Sequence, residues 1–384
     1  MGMAGDGHRQ DPWHDIFPST SPIPVRAPEC GSRAQLSIGP DGARLERRGF
    51  LLSALGGAAC LATPLATARA EPASGHVPTP SSSFGLLKRV RTSVLDIAYA
   101  EAGPTDGRPV LLLHGWPYDI HSYADAAPLL AAAGFRVIIP YLRGFGATRF
   151  LSEASLRNGQ QAALASDAIE LIEALGLERP IVGGCDWGAR TACILAVLYP
   201  AQVRALVSVS GYLIGSQASG ATPLAPEAER SWWYQYYFAT ERGRQGYALH
   251  THDFARLIWK TASPRWMFDE PTFLRSAAAL DNPDHVPIAI HNYRWRLGLA
   301  EGEARYAAME ERLASFPAVT IPAVTLEGDA NGAPHPRASD YRTRFTSAYE
   351  HRLVEGGIGH NLPQEAPGTF VRAIIDADRM AGRS

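Results

Sequence analysis

Between residues 92 and 211 the hydrophobic positions come in short bursts separated by longer amphipathic stretches. TSVLDIAYAEAG, from Thr92, alternates apolar and polar residues as a half-buried strand does. PVLLLHGWP (109–117) runs apolar until Gly and Pro end it, the pattern of a parallel strand covered on both faces. YADAAPLLAAAG (123–134) predicts a short helix closed by Gly134, and FRVIIP (135–140) the next strand. Across 160–176, Leu164, Ala168, Leu171, Ile172 and Leu175 share one face of a helix ending at Gly176. PIVGGC and VRALVSVSG read as further strands, with GARTACILAVLYP as a helix between them. This alternation predicts an α/β fold, a mostly parallel sheet with helices on both faces.

The rhythm stops after Gly211. Residues 213–300 are dense in Trp, Tyr and Phe and read as helix and loop, and strands resume with AVTLEGD (323–329) and HRLVEGG (351–357). A helical insertion between two halves of one sheet accounts for this. The expected organisation is a core at 85–212 and 301–384 interrupted by a helical segment at 213–300.

The N-terminal part follows different rules. Residues 1–46 are rich in Pro, Gly, Ser and charge and show no sustained period, so they read as an unstructured extension. Residues 47–70 begin with Arg47 and Arg48, continue through a modest apolar run, and end in Ala68-Arg69-Ala70. That order predicts a cleaved twin-arginine export signal and a periplasmic protein. The run is short and broken by Gly56, Gly57 and Pro64, which argues against a membrane anchor. Residues 71–84 read as a linker.

Composition adds exclusions. The 384 residues are 46% hydrophobic and 19% charged with a net charge of -2, which suits a sizeable core and gives no electrostatic reason to expect nucleic acid or an anionic membrane as partner. Past the export signal only Cys185 and Cys193 remain of the four cysteines, so they read as small buried residues rather than a disulfide framework.

Ligands of open α/β sheets bind beyond the carboxyl ends of the strands. Four signals fall there: His114-Gly115-Trp116-Pro117, Asp186 within GGCDWGAR, the EGDANG segment, and His360 within GGIGHNLPQE. Glycines at 184 and 188 frame a strand-to-helix turn of the kind that presents a nucleophile, and Asp186 stands where serine is common. A helix N-cap is the plain alternative for a lone G-x-D-x-G. The strand before it, the helix after it and the late histidine argue against that.

HGWP, GGCDWGAR and GGIGHNLPQEAP together resemble the epoxide hydrolase and haloalkane dehalogenase branch of the α/β hydrolases, over roughly residues 85–380. The resemblance implies the α/β-hydrolase fold with a lid inserted after the sixth strand, and a hydrolase that uses no cofactor. It implies that Asp186 attacks an sp3 carbon to form an alkyl ester, which water activated by His360 then hydrolyses. The backbone N–H groups of Trp116 and Trp187 would form the oxyanion hole. WWYQYYFATERG and IHNYRWRLG resemble the two lid segments that carry ring-opening tyrosines in epoxide hydrolases, which puts Tyr234 and Tyr293 in that role. The implied substrate is a small apolar epoxide. Asp329 is the carboxylate expected to orient His360, although the family's usual slot, three residues after Gly328, holds Asn331. The alternatives are a haloalkane dehalogenase-like hydrolase and a non-catalytic ligand-binding homologue. His114 is expected to support its loop. His285, His291, His335 and His351 lack metal-ligand spacing and read as packed or solvated.

Overall fold

The computed structural model describes residues 84–382, so the extension, the export signal and nearly all of the linker lie outside the described residues. Nine strands form one sheet: β1 (Lys88–Arg91), β2 (Leu95–Ala102), β3 (Arg108–Leu113), β4 (Phe135–Pro140), β5 (Arg149–Phe150), β6 (Ile181–Gly184), β7 (Ala205–Val209), β8 (Ala323–Gly328) and β9 (Tyr349–Val354). Their spatial order is β1-β2-β4-β3-β6-β7-β8-β9, with β5 paired to β2. Strands β1, β4 and β5 pair antiparallel with β2, and every pairing from β4 through β3 to β9 is parallel.

The strands expected from the apolar bursts are all present, trimmed or shifted by a few residues at their ends. Two strands escaped the pattern. β1 carries Lys88, Arg89 and Arg91 and buries little, as a charged edge strand does, so its sequence resembles a linker. β5 is only two residues long and gives no period.

Helices α1 (Ala126–Ala132), α2 (Gln161–Ala174) and α3 (Trp187–Leu198) connect the parallel strands, and a last helix, Pro367–Ala381, follows β9. Helix α3 is buried along almost its whole length, which explains why its sequence is apolar all round. The central strands are equally sealed: Val110 to Leu113 and Ala323 to Leu326 are fully buried. Cys185 and Cys193 are both buried and free.

Between β7 and β8 the chain is helical, including Trp233–Ala239, Glu241–Leu249, Thr251–Ala262 and His285–Arg296. β7 is the seventh strand in chain order and the sixth of those with four or more residues. The helix Ala307–Ala314 returns to the core, where Glu310 accepts hydrogen bonds from the Ala162 N–H (3.0 Å) and the Gln161 side chain (2.9 Å) at the start of α2.

Polar side chains of the insertion fasten it to the core loop after β4. Asn282 donates to the carbonyls of Gly146 and Thr148, and Asn292 to that of Gly159. His291 accepts from the Gly159 N–H at 3.0 Å. His285 Nδ1–H donates to the Gly144 carbonyl while its Nε2 faces the Tyr247 hydroxyl at 2.8 Å. These histidines are packed, as expected, and act as fasteners between insertion and core. Arg143 beneath them forms a buried two-pronged ion pair with Asp167.

Candidate active site

Register fixes where the site lies. Leu113 pairs with Gly184 and Gly184 with Ser208, so β3, β6 and β7 end at a common edge. His114–Trp116 and Asp186 emerge there side by side. A Cβ on Gly188 would run into the Leu113 carbonyl, and one on Gly115 into Asp186 itself, so only glycine permits this approach. Asp186 adopts φ 54°, ψ -117°, a strained conformation for a residue with a Cβ. An N-cap aspartate has an extended backbone and caps with its side chain; Asp186 does neither.

The two Asp186 oxygens have different environments. Oδ1 accepts the Trp116 backbone N–H at 2.8 Å. Oδ2 faces His360 Nε2 at 3.7 Å, beyond direct hydrogen-bond range. The Trp187 N–H belongs to the first residue of α3, where a helix leaves its N–H groups without internal partners. Burial alone would raise the Asp186 carboxyl, but His360, the Trp116 N–H and Arg190 outweigh it and hold the group below the ordinary carboxylate range. The nucleophile candidate is therefore ionised at neutral pH.

Tyr234 and Tyr293 both reach this point. Their rings lie 5.3 Å apart, nearly perpendicular, and each packs on Trp116, at 5.5 and 5.1 Å. Burial, reinforced by the Asp186 charge, raises both phenols above their usual value and keeps them protonated donors. Trp116 is the hub of the aromatic cluster, and its Nε1–H donates to the Tyr247 hydroxyl at 2.9 Å. His114 supports its loop: Nδ1 faces the Gly115 carbonyl at 2.9 Å and Nε2 accepts from the Leu142 N–H.

The Asp329 expectation is corrected. Its carboxylate accepts the backbone N–H groups of Gly356, Gly357 and Ile358 and holds the turn ahead of His360, while His360 Nδ1 is buried with no hydrogen-bond partner. Asp329 is exposed, and the nearby loop occupies both its oxygens with three backbone N–H groups. Asn331 donates to Glu327 at 2.7 Å and to the Ser210 hydroxyl at 3.2 Å. Glu327 is buried, and its second oxygen, Oε2, has no hydrogen-bond partner. The loops that carry these groups are joined by the Ala330 N–H to the Ile358 carbonyl at 2.9 Å.

Residues that pattern reading missed hold the histidine. Ser263, at the end of an insertion helix, accepts the His360 N–H at 2.9 Å and donates to Glu365 at 2.7 Å. Glu365 also accepts from Gly359 and Asn361, closing a cage around the loop. Glu365 was visible in the GHNLPQE string; Ser263 carries no signal, since its role depends on a contact 97 residues away.

The fold and this site define a class, and comparison with known proteins agrees. A family model described as the alpha/beta hydrolase fold matches residues 108–284. A crystal structure of a candidate epoxide hydrolase from Klebsiella pneumoniae subsp. pneumoniae is 58% identical, superposes with a TM-score of 0.77, and matches over 78% of this chain and 99% of that one. The chain belongs to the α/β hydrolases, among their epoxide hydrolase-like members. Epoxide hydrolase B of Mycobacterium tuberculosis is 32% identical over 161 residues, 38% of this chain and 44% of that protein. A haloalkane dehalogenase of Mycobacterium marinum is 33% identical over 138 residues, 35% of this chain and 44% of its own. The chain thus spans less than half the length of these two curated relatives.

Proposed function

We propose that the protein hydrolyses epoxides to diols through an ester on Asp186. The observation that carries this reading is the convergence of an ionised Asp186, His360 at 3.7 Å, and two buried, protonated tyrosines on the same tryptophan. Asp186 Oδ2 attacks an epoxide carbon, the ring C–O bond breaks, and the departing oxygen takes a proton from Tyr234 or Tyr293. Oδ1, held by the Trp116 N–H with the Trp187 N–H beside it, becomes the ester carbonyl oxygen. A water then attacks the Asp186 carboxyl carbon and gives a proton to His360 Nε2. The 3.7 Å gap suits a base that acts on water rather than on the carboxylate. Collapse of the tetrahedral species expels the diol oxygen, which takes the proton from His360. The remaining proton of the water restores the tyrosine. Glu327, whose buried Oε2 has no hydrogen bond and faces His335 Nε2 at 3.7 Å, is the carboxylate we assign to stabilise the His360 cation, and Asn331 positions it.

His360→Gln should stop the second step alone, so intact-protein mass spectrometry should show an adduct equal to the epoxide mass that Asp186→Asn fails to form. No adduct with any of a broad panel of epoxides would sink the reading. A second reading, dehalogenation, is favoured by one observation: on the residue after Asp186, Trp187 Nε1 is a buried donor without a hydrogen bond among the described residues, suited to a departing halide. Halide release from haloalkanes without epoxide turnover would select it.

A further inference from the structure

Two cations border this site, and the chemistry above uses neither. Arg190 lies one turn after Asp186 on α3, about 6 Å along the helix axis, and side chains lean toward the helix N-terminus, here the Asp186 end. Its Nε donates to the Leu213 carbonyl at 2.9 Å, and its two terminal nitrogens have no hydrogen-bond partner among the described residues. Arg296, from the last turn of the helix bearing Tyr293, stacks its guanidinium 4.7 Å from the Trp232 ring and 5.6 Å from the Tyr293 ring. Beyond these two rings its guanidinium makes no hydrogen bond or ion pair among the described residues. Burial, and then the neighbouring charge of Arg296, push Arg190 down to about 10, against the pull of Asp186.

Charge balance shows what is missing. Asp186 is the carboxylate that acts on Arg190, and no carboxylate lies within ion-pair distance of either guanidinium among the described residues. One carboxylate can offset only one of the two cations. In the ester intermediate Asp186 is neutral and its charge has passed to the tyrosine that gave up its proton, so a single anion still faces two cations.

We propose that the preferred substrate is an epoxide carrying its own carboxylate a few bonds from the ring, bound by Arg190 and Arg296 while Trp232 and Tyr293 cover its apolar body. This rests on the epoxide hydrolase reading for the reacting group but on the arginines alone for the anion. The substrate carboxylate accepts hydrogen bonds from the free guanidinium nitrogens, which are suited to that shape, and it offsets the cation that the site's single anion leaves unmatched.

The test separates the two claims. Calorimetry on the full chain at fixed ionic strength compares hydrocinnamate with hydrocinnamamide, ligands of one shape that contain no epoxide. The acid should bind about tenfold or more tightly than the amide. Arg296→Gln should remove that difference and Arg296→Lys restore part of it. Equal binding of acid and amide by the unaltered protein overturns the proposal, as does a preference that survives both Arg296→Gln and Arg190→Met. Turnover of trans-phenylglycidate against its methyl ester then examines the reacting group. Selective binding of the acid without hydrolysis of either epoxide would sustain the anion site and refute the epoxide chemistry. Faster hydrolysis of the neutral ester would refute the anion site alone.

Discussion

At the scale of single residues, the site depends on which polar atoms are left unpaired. Among the described residues His360 Nδ1 and Glu327 Oε2 are both buried without hydrogen bonds, Oε2 facing His335 Nε2 at 3.7 Å, whereas both oxygens of the Asp329 carboxylate accept backbone N–H groups. Two carboxylates two residues apart therefore have different duties. Glu327→Gln should slow breakdown of the ester by about tenfold to a hundredfold, leaving its formation almost untouched, because the histidine cation is needed only in the second step. Rapid-quench measurement of the two steps checks this. Asp329→Asn should lower the unfolding midpoint by loosening the Gly356–Ile358 turn and change the chemical steps by less than about threefold. If Asp329→Asn instead reproduced the kinetic loss, Asp329 would be the acid after all. The aspartate looked right in sequence because it follows the strand directly. Which way its side chain turns depends on backbone donors 27 to 29 residues further on.

The elements are joined by a hydrogen-bonded chain that crosses from core to lid. Trp116 Nε1–H donates to Tyr247, whose hydroxyl faces His285 Nε2, and His285 Nδ1–H donates to Gly144. Trp116 also supplies the N–H to Asp186, so the chain links the helical insertion to Asp186. Tyr247→Phe should leave a buried indole N–H and a buried imidazole nitrogen unpaired. Chemical denaturation should then show a loss of about 1 to 3 kcal/mol. A smaller effect would mean that water or a neighbour replaces the hydroxyl. Periodicity reveals that helices lie between β7 and β8. It does not reveal this chain, whose partners are separated by 131 and 38 residues.

For the whole molecule, pH acts through two buried imidazoles. Burial, opposed by bonds to the Gly115 and Gly144 carbonyls, lowers His114 and His285 from 6.5 to about 4 in the folded state. An unfolded chain binds protons at these residues as the pH falls past 6.5, while the folded chain does not until about 4. Stability should therefore be complete above pH 6.5 and decline as the pH drops toward 4, by up to about 3 kcal/mol for each imidazole. Urea midpoints across this range for the unaltered protein and for His285→Gln check it: the variant's profile should be the flatter. At the same scale, we propose that Arg47 and Arg48 direct export. Replacing both with lysine should retain a reporter fused after residue 84 in the cytoplasm, and continued export would refute the signal.

Sequence by itself determined the strand–helix alternation, the helical insertion and the positions of Asp186, His360, Tyr234 and Tyr293. Each rests on local physics: burial of a periodic face, a glycine where backbones meet, or a short motif confined to one turn. Tertiary structure decided what depends on distant segments meeting. It brought both tyrosines onto Trp116, gave the His360 loop to Ser263 and Glu365, and turned Asp329 away. It also set Arg190 near Asp186 and Arg296 against Tyr293, with no carboxylate within ion-pair distance of either guanidinium among the described residues. Charge balance is a property of three-dimensional neighbours, and no spacing along the chain carries it.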